Sequence, residues 1–98
     1  MRKSSFANLY FKSIKNLKEK VLTGKEFLLS KDSDYIRLNE MRRFYNSLNI
    51  EEKRIVDNDI FLETYDPNWW NKFYSKSTYF RKKDRVNQKI SRWLNEHS

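Results

Sequence analysis

Arg81, Arg85, Gln88 and Arg92 recur at intervals of four, three and four residues, the spacing that gathers side chains on one face of an α-helix. Guanidinium groups in such a row suit phosphate oxygens and the edge of guanine, each met by two parallel N–H donors. Just ahead, Ser75, Lys76, Ser77 and Thr78 place three hydroxyls and an ammonium where a helix would begin, and Lys72 and Lys82 stand close enough to serve the same partner. The chemistry on offer is recognition, not bond breaking. A blander role fits the same residues, a capped amphipathic helix whose outer face is basic and solvated. Catalysis lacks its components. Histidine occurs once, at His97 beside the C-terminus, where fraying is expected, and cysteine is absent, so a Ser-His or Cys-His nucleophile has no members. One glycine leaves no phosphate-cradling loop. Asp57 and Asp59 diverge on a helix, while Asp59 and Glu63 share a face without histidine company; these acids are expected to be solvated charges, not metal ligands. The expectation is a non-enzyme with no cofactor and no metal.

Composition narrows the partner. The net charge of +8 is unevenly spread: residues 1–22 hold six cations and one anion, residues 23–70 seven and ten, residues 71–98 eight and two. Two basic ends around an acidic middle point to an anionic partner, most often nucleic acid. Heavy use of Lys, Asn, Ile, Phe and Tyr with little Gly, Pro or Ala also implies an AT-rich coding bias. No purely apolar run exceeds three residues, as in Phe27-Leu28-Leu29, far too short to span a bilayer, and no apolar stretch follows Met1-Arg2-Lys3 as a secretory leader would require. No membrane partner is expected, and the lack of cysteine suits a cytoplasmic protein.

With 98 residues, 16% aromatic side chains, 35% charged ones, a single Gly and a single Pro, the chain predicts one all-α domain. About five helices are expected, residues 1–48 completing the core and residues 49–98 forming a helix-turn-helix-like unit. Phe6, Leu9, Tyr10, Ile14, Leu17 and Val21 make an apolar stripe over residues 4–22, with Lys12, Lys15 and Glu19 opposite. Thr23-Gly24-Lys25-Glu26 has the pattern of a capping box and predicts a short helix through Leu29. A loop rich in N-capping residues, 30–34, then leads to a helix over 35–48 with Leu38, Met41, Tyr45 and Leu48 inward and Arg42 and Arg43 outward. Asn49 and Glu52 form a second box, opening a helix to about Leu62. Asp66-Pro67 signals a short helix holding Trp69, Trp70 and Phe73. Ser75 or Ser77 then caps a helix to about Asn95, with Tyr79, Val86, Ile90 and Trp93 inward. The core is expected to join these four to Trp69, Trp70 and Phe73.

A short helix, a tight turn and a longer helix with a polar, basic start outline a helix-turn-helix, whose second helix meets base edges with its first turn and phosphates with its flanks. Leu48, Glu51, Glu52, Ile55 and Phe61, then Trp69 or Trp70, then Tyr74, Ser75, Ser77, Thr78, Tyr79, Phe80 and Arg81 resemble the C-terminal helix-turn-helix of sigma factors and of ArpU-type phage transcriptional regulators from low-GC Gram-positive bacteria. The resemblance covers about the last half of the chain. It implies a DNA-binding transcription regulator or sigma-like factor acting on double-stranded DNA. Two alternatives stay open: a non-enzymatic interaction module docking on RNA polymerase or another regulator through the acidic middle, and an RNA- or ribosome-associated protein.

Overall fold

A computed structural model describes residues 5–24, 29–61 and 66–97, and every regular element among them is helical. Helix α1 spans Ser5–Leu22, close to its predicted bounds. It buries Phe6, Ala7 and Ser13, half-buries Leu9, Tyr10, Ile14 and Leu17, and leaves Val21 exposed. Thr23 does not open a helix as expected; it helps to close α1. Its N–H bonds the Glu19 carbonyl at 3.0 Å, its hydroxyl donates to the Lys20 carbonyl, and Gly24 follows at φ +67° with its N–H on Val21. The chain's one glycine supplies the left-handed residue on which helices commonly end, at no steric cost. The remainder of that expected helix, residues 25–28, lies outside the described residues.

After a 3-10 turn at Leu29–Lys31, helix α2 runs Ser33–Ser47. Asp32 caps it, its carboxylate accepting from the N–H groups of Asp34 and Tyr35 at 3.0 Å each. Lys20 near the end of α1 clamps Asp32 at 2.6 Å and Asp34 at 2.8 Å, and Arg37 adds a contact to Asp34 at 3.3 Å. This cluster ties the end of α1 to the start of α2. Arg42 and Arg43 are exposed as expected.

Helix α3, Ile50–Ile55, opens on the predicted box: Asn49 Oδ1 accepts from Glu52 N at 2.8 Å, and Glu52 Oε1 accepts from Asn49 N at 3.0 Å. It then widens into a π turn, Val56–Ile60, where a plain α-helix was expected. The Asn58 side chain donates to the Arg54 carbonyl at 2.8 Å, the acceptor an α-helix would reserve for the Asn58 backbone, and such insertions loosen the ladder. The widened turn sends Ile55, Val56 and Ile60 all inward. Leu62, the expected end, lies outside the described residues.

Helix α4, Lys76–His97, is the longest element; at 1.5 Å per residue it spans roughly 33 Å. Its buried stripe is the predicted one, Tyr79, Val86, Ile90 and Trp93. Phe6 of α1 meets Trp93 edge-on at 5.4 Å and also touches Phe44 of α2, so the first helix packs on the same core as the last. His97 is docked and not frayed. Its ring stacks on Trp93 at 4.2 Å, Nδ1 donates to the Trp93 carbonyl, and Nε2 lies 3.8 Å from Glu40 of α2.

Candidate nucleic-acid interface

The segment leading into α4 departs from expectation. Where a helix of about two turns was expected after Pro67, one 3-10 turn forms, Trp69–Lys72. Asp66 Oδ1 takes the Asn68 N–H, so the first bend is an Asx-type turn. The N–H groups of Phe73 and Tyr74 then converge on the Trp70 carbonyl at 2.9 Å, which closes the turn. Ser75 caps α4 at once, leaving no residues for a second turn. The Ser75 hydroxyl donates to Thr78 Oγ1 at 2.9 Å and faces Thr78 N at 3.4 Å, while its carbonyl accepts from Tyr79 N. Of the two candidate caps, Ser75 is used. Ser77 is exposed beside it, and so is Lys76; Thr78 is half-buried.

Two sets of cations emerge on α4. The lysines beside the buried stripe are engaged by acids of the α3 region. Lys82 meets Glu51 at 2.6 Å, Lys83 approaches Asp59 at 3.8 Å, and Lys89 meets Glu52 at 2.6 Å. Lys82 and Lys83 also lie over the rings of Tyr74 and Tyr79, covering them with their stems. Burial pushes the Glu52 carboxyl up, but Lys89, the Asn49 N–H and the nearby charge of Arg85 together hold it below its ordinary value. Arg81, Arg85, Gln88 and Arg92 share the exposed outer face, with Arg85 at its α3 side, near enough to act on the Glu52 carboxyl. Among the described residues, none of these arginines forms an ion pair, and neither does Lys72 or Lys76. The face is not purely basic, since Asp84 and Glu96 border it with Asn87, Ser91 and Asn95.

Asp57 and Asp59, expected to be solvated, are internal acceptors. Asp57 takes the Tyr45 hydroxyl at 2.9 Å. Asp59 takes the Trp69 indole N–H at 2.8 Å and the Tyr79 hydroxyl, so it joins the π turn, the 3-10 turn and α4. Burial and the Asp59 carboxylate push the Tyr79 phenol well above its usual range, keeping it protonated and donating. These bonds seat the start of α4. Among the described residues no cluster of His, Asp or Glu could hold a metal ion, and no helix is long and apolar enough to cross a membrane. Glu63 lies outside the described residues.

An aromatic group borders the start of α4. Trp70 lies flat on Tyr79, centroids 4.8 Å apart and planes within 7°, and Trp69 meets the same ring edge-on at 5.9 Å. Phe80 leans on Trp70 at 6.5 Å yet is 50% exposed. Phe73, expected in the core, is 54% exposed, with the Arg54 guanidinium 4.4 Å over its ring. Sequence reasoning missed this exposed pair. The available signal was angular: Phe80 stands one helical step, about 100°, from the Tyr79 stripe.

No protein-family model matches the chain, and no curated protein or solved structure matches it.

Proposed function

We propose that the protein binds double-stranded DNA through the exposed face of α4, as a transcription regulator of the helix-turn-helix, sigma-like kind. One observation carries this reading: the division of α4's cations. Acids of the α3 region pair with Lys82, Lys83 and Lys89, while Arg81, Arg85 and Arg92 stay without ion pairs on the outer face beside Gln88. Arginine is the residue suited to bidentate contact with phosphate or guanine. Ser77 adjoins that face by helical spacing, and Lys76 and Lys72 are exposed around the helix start, where Ser75 serves as cap and Thr78 is half-buried. Docking of a protein through the acidic middle has less support, because Glu51, Glu52, Asp57 and Asp59 already have internal partners.

The test is salt dependence. Each phosphate contact releases counterions, so affinity for duplex DNA should fall steeply with salt. Arg85→Ala or Arg92→Ala should weaken binding to all sequences alike and reduce the logarithmic salt slope by about one unit. Fluorescence anisotropy across a salt series reads both. An unchanged slope removes the arginine row from the interface.

A further inference from the structure

The exposed aromatic pair at the start of α4 has chemistry that duplex binding does not use. Phe73 and Phe80 flank the packed Trp69–Trp70–Tyr79 cluster from the turn and from the helix, and each leaves about half its surface to solvent. Arg54 covers one face of Phe73, so Phe80 is the freer of the two rings. An exposed ring on a packed aromatic base is suited to stacking, and a nucleobase is a flat surface of the right size. The surrounding charge selects an anionic occupant. Lys72 lies one residue before Phe73, and Lys76 and Arg81 flank Phe80 in sequence, all three exposed and without ion pairs among the described residues. Asp66 and Asp84 are the nearest exposed acids in sequence, so a second copy of this chain would meet more like charge than opposite charge.

We infer that Phe73 and Phe80 form a stacking platform for unpaired bases, with Lys72, Lys76 and Arg81 holding the adjoining phosphates. This rests on the proposal of nucleic-acid binding by α4 and specifies the form preferred: a strand whose bases are unpaired beside the duplex that α4 contacts. A fully paired duplex offers only its stacked edges and cannot occupy the platform without being opened.

The probes are a blunt DNA duplex, the same duplex with a short unpaired stretch, and the single strand as DNA and as RNA. Anisotropy should give roughly tenfold tighter binding to the opened duplex than to the blunt one, since one stacked base contributes about that much. Phe80→Leu keeps the apolar contact to Trp70 but removes the flat ring. It should bring the opened duplex back to blunt-duplex affinity while leaving the blunt duplex unaffected, as should Phe73→Leu in part. Denaturant unfolding of both variants confirms that they fold. Equal binding of opened and blunt duplex by the unaltered protein overturns the platform and leaves the duplex reading standing. A preference that survives in Phe80→Leu and Phe73→Leu also overturns it, because the opened strand is then held by something other than these rings. Failure to bind any of the four probes overturns the platform together with the reading beneath it.

Discussion

Asp59 shows how one side chain can position a surface it does not belong to. Its carboxylate accepts from the Trp69 indole and the Tyr79 hydroxyl, and the Lys83 ammonium lies nearby. Replacement by Ala would strand two donors in a largely buried setting, at roughly 1–3 kcal/mol for each unpaired group. Asp59→Ala should therefore lose about 2–4 kcal/mol in urea unfolding, whereas exposed Asp66→Ala should cost about 1 or less. A loss at Asp59 no larger than at Asp66 would mean that this junction does not hold the start of α4. The contrast between lysine and arginine on α4 belongs to the same scale. A lysine on a flexible stem can bend toward a single inward carboxylate, as Lys82 and Lys89 do. A planar guanidinium left in solvent is ready for an external oxyanion.

Helices α2, α3 and α4 each owe their start to a local device. Asp32, Asn49 and Ser75 serve α2, α3 and α4, each with a side-chain oxygen facing backbone N–H groups two or three residues on. Ser75 and Ser77 were equal candidates for α4, and the geometry separates them. Ser75→Ala should lower stability by about 1 kcal/mol, and Ser77→Ala should stay within about 0.5. Thermal or denaturant unfolding of the two variants reads the difference directly. A costlier Ser77→Ala would move the cap two residues along and bury a hydroxyl now assigned to the exposed start of the helix. The π turn carries the Asn58 amide on the Arg54 carbonyl, and its consequence is long-range: it aims Asp57 at α2 and Asp59 at α4.

At the scale of the molecule, most acids of the middle segment among the described residues pair with cations of α1, α2 or α4. Asp32 and Glu52 are both held below their ordinary values of 3.8 and 4.5, by Lys20 and backbone N–H groups in one case and by Lys89 and Asn49 in the other. A carboxyl lowered by folding stabilises fully above its unfolded value and loses that contribution as pH falls through the folded one. Stability should thus be level near neutrality and decline below about pH 4.5. Glu52→Gln preserves an acceptor for the Asn49 N–H but abolishes the ion pair with Lys89. Its melting temperature should be lower at pH 7 and fall less steeply toward pH 3 than that of the unaltered protein. Parallel pH curves for the two proteins would show that the Glu52–Lys89 pair contributes nothing to the acid limb.

Helical class, the approximate extent of α1, α2 and α4, the Asn49–Glu52 box and the inward stripe of Tyr79, Val86, Ile90 and Trp93 were all legible in the sequence. So was the row Arg81, Arg85, Gln88 and Arg92, which α4 places on one exposed face. These follow from helical periodicity and capping, properties of residues within a few positions of one another. Four matters were settled only by packing: the single 3-10 turn in place of a helix before α4, the π turn after α3, the exposure of Phe73, and the pairing of Lys82, Lys83 and Lys89. In the lysine pairs the carboxylates lie 24 to 37 residues away along the chain. No periodicity encodes such a distance; which carboxylate meets which ammonium depends on how α3 and α4 lie against each other. Phe73 was misjudged for a related reason: ring size predicts burial on average, but Trp69 and Trp70 had already taken the places against Tyr79.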